Sequence, residues 1–182
     1  MRIHKTLQSL AAATGLGVAL LASGAMAQQA EAPQPVVTKT EISNFENWSV
    51  ICRNFSSGKR LRVCTAQLQV VQGKDARPVL IWSLFFDDDG KELAVLQTPT
   101  GVTIDQGVAV KLSKSGAARK IPFATCDNGF CTANIAVDTA LTRELASSAE
   151  AEIVVISAAA KAVTFKFPVK GFDKAREALG SR

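Results

Sequence analysis

Histidine is nearly absent from this sequence and tyrosine is wholly absent: 182 residues hold one His, His4, and no Tyr. His4 lies in a leader that is expected to be removed, so the exported chain would carry no imidazole. That excludes Ser-His-Asp and Cys-His hydrolysis, histidine metal centres and histidine pH switching. The missing tyrosine removes another common proton donor. An enzyme built on this chain would have to work with carboxylates, lysine or a free thiol. Long apolar runs are scarce as well, and after residue 27 none approaches the roughly 20 residues that a membrane-spanning helix needs. No transmembrane segment is therefore expected in the mature protein.

The leader is read from its order of parts. Arg2 and Lys5 form a basic start without acids, an apolar stretch runs from Leu10 to about Leu21, and Ala25-Met26-Ala27 supplies the small-x-small pattern of a signal peptidase site. Cleavage is expected between Ala27 and Gln28. A dozen apolar residues are too few for a retained anchor, and Gly24 stands where a lipoprotein would need cysteine. Loss of Arg2 and Lys5 lowers the 21 basic residues to 19 against 16 acidic ones, a balance that gives nucleic-acid binding no support. The remaining 155 residues suffice for one domain.

Four cysteines, Cys52, Cys64, Cys126 and Cys131, form an even set in an exported chain, which predicts a disulfide framework. Three pairings are formally open. Proximity favours Cys52 with Cys64 and Cys126 with Cys131, because turn chemistry lies inside each interval. The second interval holds Asn128-Gly129, a strong hairpin dipeptide. A redox dithiol or zinc knuckle would need two residues between cysteines, and neither interval has that spacing.

Residues 28–44 contain prolines and little periodicity and are expected to form a disordered lead-in, with the domain running from 45 to 182. Alternation then predicts strands through Trp48, Val50 and Cys52, through Cys64, Ala66, Leu68 and Val70, and through the doubly apolar 79–86. Shorter strands follow at Leu93–Leu96, Val108–Leu112 and Ile121–Phe123. Beyond the Cys126 hairpin, more are expected at Cys131–Val137, Ile153–Ile156 and Val163–Val169. Asp138 is expected to cap a helix burying Leu141 and Leu145, and a last helix to bury Phe172, Ala175 and Leu179. Eight or nine short strands with one or two short helices make this an all-β chain, expected to fold as an antiparallel β-sandwich.

Four features are candidates for function. Asp87-Asp88-Asp89-Gly90 is a cation site or, by default, a solvated turn. Lys111, Lys114, Arg119 and Lys120 surround one expected hairpin and form a candidate patch for an anionic surface polymer or an acidic partner, against the default of a lysine-protected edge. Trp82, Phe85 and Phe86 line an apolar pocket or belong to the core. Gly101, Gly107 and Gly171 lack a phosphate-loop arrangement and are read as backbone devices.

Together the motifs are recognisable: Trp48 four residues before Cys52, Cys64 followed by Ala66-Gln67, Pro99-x-Gly101-Val102, Gly107-Val108, Pro122-Phe123 leading to Cys126, Gly129-x-Cys131, and Gly171-Phe172-x-x-Ala175. In this order and spacing the chain resembles the invasion-associated locus B family of bacterial envelope proteins over roughly residues 45 to 179. The resemblance implies an immunoglobulin-like β-sandwich, a periplasmic, outer-membrane-associated or secreted location, and a link in some members to host-cell invasion. It brings no catalytic residues and no cofactor. The expected function is a non-enzymatic envelope interaction protein whose partner is an envelope protein or surface polymer. A small-ligand carrier with a cavity between its sheets and a two-carboxylate hydrolase are the alternatives.

Overall fold

A computed structural model describes residues 34–112, 116–127 and 129–180. The leader, the cleavage point at Ala27 and Gln28, and Lys114 lie outside these residues. Eleven strands are described: β1 (Val37–Phe45), β2 (Trp48–Phe55), β3 (Arg62–Gln72), β4 (Arg77–Phe86), β5 (Glu92–Pro99), β6 (Val108–Lys111), β7 (Arg119–Ile121), β8 (Phe123–Cys126), β9 (Phe130–Ala136), β10 (Glu150–Ile156) and β11 (Ala162–Pro168). Two helices accompany them, α1 (Thr139–Ser147) between β9 and β10 and α2 (Phe172–Gly180) at the end. A seven-stranded sheet has the order β1-β2-β3-β4-β5-β9-β8, a four-stranded sheet the order β11-β10-β6-β7, and every pairing is antiparallel.

Period-two alternation decides which side chains enter the core. Trp48 and Val50 of β2, Ala66 and Leu68 of β3, Leu80, Trp82 and Leu84 of β4, Ala94 and Leu96 of β5, and Ala133 and Ile135 of β9 point inward. Val108 and Val110 of β6 and Ala151, Ile153 and Val155 of β10 meet them from the smaller sheet, so both sheets share one core. The architecture is an antiparallel β-sandwich, as the alternation predicts. Asp138 caps α1, its Oδ1 accepting from the Leu141 N–H at 2.6 Å, which leaves Leu141 and Leu145 to pack inward. Both disulfides join neighbouring strands within the larger sheet, Cys52 to Cys64 and Cys126 to Cys131.

The residues that carry the family resemblance meet as packing joints. Trp48 is fully buried, donates its Nε1–H to the Val169 carbonyl at 3.1 Å and meets the Phe172 ring edge-on at 5.6 Å. Beside it the Asn47 N–H bonds the Lys170 carbonyl, and Gly171 (φ +90°) presses so closely on Phe45 that a Cβ would lie 2.0 Å from its carbonyl oxygen. Gly107 (φ +63°) does the same against Ile121 and Pro122, where a Cβ would lie 2.4 Å from the Ile121 oxygen. That contact sits where the chain leaves one sheet for the other. Pro122 alone separates β7 of the smaller sheet from β8 of the larger.

Two expectations need correction. Of the lead-in expected over 28–44, Val37–Asn44 is not disordered: it is most of β1, the edge strand of the larger sheet, with a regular ladder to β2 from Lys39 to Phe45. Its side chains are almost all exposed, so hydrophobic periodicity has nothing to register there. Residues 28–33 lie outside the described region. The segment Ile121-Pro122-Phe123, read as one strand, is instead the junction of β7 and β8, because proline cannot donate to a ladder and the chain changes sheets there.

Candidate interaction surface

Register turns the outward phase of the larger sheet into rows of side chains running across its strands. One row is Asn44, Ser49, Gln67, Ser83, Val95 and Asn134. A second is Gln69, Ile81, Gln97, Thr132 and Thr125. On the other side of the first lie Ile42, Ile51 and Thr65, then Phe85, Leu93 and Ala136. No Asp, Glu, Lys or Arg occurs in these rows. Charge returns only beyond them, at Arg53 in the row of Thr40 and Val63.

The polar groups of this face hydrogen-bond one another. Gln69 donates to Gln67 Oε1 at 2.6 Å, Gln67 donates to Ser83 Oγ at 3.2 Å, Gln97 donates to Thr132 Oγ1 at 3.4 Å and Ser49 donates to Asn44 Oδ1 at 2.8 Å. These contacts link neighbouring side chains across and along the strands, and each amide keeps further donor and acceptor capacity. The outcome is a broad surface of amides, hydroxyls and aliphatic carbons. Its lack of charge is the feature it shares with the centre of a protein interface, where charged residues are depleted.

The outward face of the smaller sheet differs. Lys111, Glu152 and Lys166 form a charged row across it, with Lys166 Nζ 3.1 Å from Glu152. Beside that row, a groove of about 480 Å³ is lined by both lysines, Glu150, Glu152, Ser147 and Ser148.

Of the cations singled out in the sequence, the three described ones do not share one face. Lys120 pairs with Ala109 and shares the outward face with Lys111, whereas Arg119 pairs with Val110 and points the other way. Arg119 reaches α1 instead, 2.8 Å from Glu144 and 3.9 Å from Asp138. Alternation is the cause, since neighbours in a strand take opposite faces.

The aspartate turn is engaged internally. Asp87 Oδ1 accepts the N–H groups of Asp89 and Lys91 at 3.0 and 2.8 Å, and Asp88 lies 3.1 Å from Arg60. Trp82, Phe85 and Phe86 do not line one pocket: Trp82 is fully buried inward, Phe85 belongs to the outward rows, and Phe86 packs against the core. A groove of about 290 Å³ beside Phe86, Leu61, Val63 and Leu179 opens at the margin of the sandwich. Between the sheets, Leu80, Trp82, Leu96, Val108 and Ile153 stand at 0% exposure, so a carrier's cavity has no room at that point.

The uncharged face escaped the sequence reading, although its signal was present. Apart from Arg53, the polar residues on the outward phase through the middle of β2 to β5 and β9 are Ser, Gln, Thr and Asn, in a chain where charged residues make up 20%.

Comparison with known proteins places this geometry. The crystal structure of invasion associated protein B from Bartonella henselae shares the fold, with a TM-score of 0.65 at 20% identity, covering 76% of this chain and 95% of that one. No curated protein matches. A family model described as Invasion associated locus B (IalB) protein matches residues 48–180, from the first residue of β2 to the last of α2. The chain belongs to the invasion associated locus B family.

Proposed function

We propose that the protein is an exported, non-enzymatic interaction protein of the bacterial envelope, and that it binds through the uncharged outward face of its seven-stranded sheet. The observation that carries this is the cross-strand arrangement of amide, hydroxyl and aliphatic side chains without a single ionised group, on the wider of the two sheets. A solvated sheet face has no need to exclude charge, whereas the buried centre of an interface does. Export rests on the leader with cleavage after Ala27, and two disulfides fit an oxidising compartment. Among the described residues no helix is long and apolar enough to cross a membrane. The family name supplies the invasion role; a general role in envelope maintenance asks only for an exported partner.

The test is photo-crosslinking in living cells from single positions on the two outward faces. A crosslinker at Gln97 is expected to capture a specific protein or glycan, and one at Thr164 of β11 is not. Adding Gln67→Glu should abolish capture; because Gln67 is half-buried and donates to Ser83, a cost of about 1 kcal/mol is expected, which leaves the domain folded. Equal capture from both faces, or none from Gln97, would overturn the proposal.

A further inference from the structure

Among the described residues β1 is the longest edge strand, nine residues against seven in β11, four in β8 and three in β7. Among the described residues no strand pairs with its outer side. It precedes residue 48, where the family match begins.

The two-residue turn Glu46-Asn47 closes on the pair Phe45 and Trp48. Such a turn is closed by a hydrogen-bonded pair, so the backbone groups of Phe45, Ser43 and Glu41 face β2. Those of Asn44, Ile42 and Thr40 consequently face the open edge. Long edges are normally blunted by lysine, proline or bulges. Here a bulge distorts only the start, between Val37 and Lys39, and no proline follows. The one lysine, Lys39, is tied to its own strand by Glu41 at 2.7 Å, a carboxylate that Arg62 of β3 also holds at 2.6 Å. Ile42 stands 62% exposed.

The sequence around Thr40 is self-complementary. A two-fold axis through Thr40 would pair two copies of β1 antiparallel, with Thr40 hydrogen-bonding its own counterpart. Lys39 of each copy would then lie opposite Glu41 of the other, in the non-hydrogen-bonded positions where side chains come closest. Backbone parity and charge agree on this one register. We infer that β1 is a homodimerisation strand, which joins two copies of the chain edge to edge in a register centred on Thr40. Because the bulge shortens the ladder, the contact is small, and small contacts make weak, concentration-dependent dimers.

Sedimentation velocity of the disulfide-intact chain, from about 5 to about 500 µM, is the test, since contacts below the usual interface size associate weakly. Wild type should move from one-chain to two-chain mass across that range. Lys39→Glu and Glu41→Lys, each alone, set like charges opposite each other twice and should weaken association at least tenfold. An equimolar mixture of the two variants should recover it, because each supplies what the other lacks, and the double variant should self-associate as wild type does. Circular dichroism identical to wild type shows that each variant is folded. A register readout is independent of charge: Thr40→Cys should oxidise to a covalent dimer, and Ile42→Cys should not. A wild type that stays monomeric throughout, a dimer indifferent to the charge variants, or a mixture that fails to recover association would each overturn the inference. Loss of the dimer with Gln97 capture intact leaves the proposed face standing, so the two claims fail separately.

Discussion

Replacing Gly171 by alanine adds one carbon atom to the molecule, yet it is expected to cost a large part of its stability. Two effects combine. At φ +90° an alanine backbone is strained, by about 1 to 3 kcal/mol. The added Cβ would also lie 2.0 Å from the Phe45 carbonyl oxygen and 2.7 Å from its carbon, both backbone atoms that cannot swing aside. The segment 169–171 must then withdraw, which breaks the bonds from Asn47 N–H to the Lys170 carbonyl and from Trp48 Nε1 to the Val169 carbonyl. Trp48 is fully buried, so leaving its N–H without a partner costs about 1 to 3 kcal/mol. The expected total is about 2 to 6 kcal/mol, against a net stability of about 5 to 15 kcal/mol for a domain. Urea denaturation followed by tryptophan fluorescence measures it, since Trp48 and Trp82 are both buried. Gly73→Ala is the comparison: its φ is +79°, but nothing lies within 4 Å of the added carbon, so only backbone strain applies. If Gly171→Ala costs no more than Gly73→Ala, the tight joint between α2 and the first hairpin is wrong.

Removing Cys52–Cys64 by a double serine substitution should cost about 3 kcal/mol and removing Cys126–Cys131 about 2 kcal/mol, because the first closes the longer loop; paired urea titrations give the order. Asp138→Ala removes the α1 cap and one partner of Arg119, and should lower stability by about 1 kcal/mol in the same assay. The Asp127 carboxylate accepts the Phe130 and Gly129 N–H groups, which holds its pKa below the ordinary 3.8. That stabilisation is complete above the unfolded value and is lost as pH falls through the lower folded one. A carboxyl NMR titration should therefore place the Asp127 midpoint below 3.8, and a midpoint at or above it contradicts the bonded turn.

What the sequence shows depends on how sharply burial alternates. Trp48 and Val50 of β2 and Ala66 and Leu68 of β3 sit on strands with one wetter and one dry face, so their inward phase is legible directly. Asp138 with Leu141 and Leu145 is equally plain, because a cap and an i, i+4 pair leave few alternatives. β1 is illegible for the opposite reason: an edge strand wet on both faces has no alternation, and only its β-branched Val37, Thr38, Thr40 and Ile42 hint at extended structure. Arg119 parts from Lys111 and Lys120 because nearness in sequence ignores that neighbours in a strand face opposite ways. The uncharged face becomes visible only when register sets Gln67 beside Ser83 and Gln97 beside Thr132. No single strand contains enough of it to be seen.

The central claim is that the seven-stranded sheet binds with its uncharged face, and crosslinking from Gln97 in living cells addresses it most directly. One specific adduct is expected from Gln97, lost on Gln67→Glu and not seen from Thr164. An adduct that forms from Thr164 and not from Gln97 would contradict it.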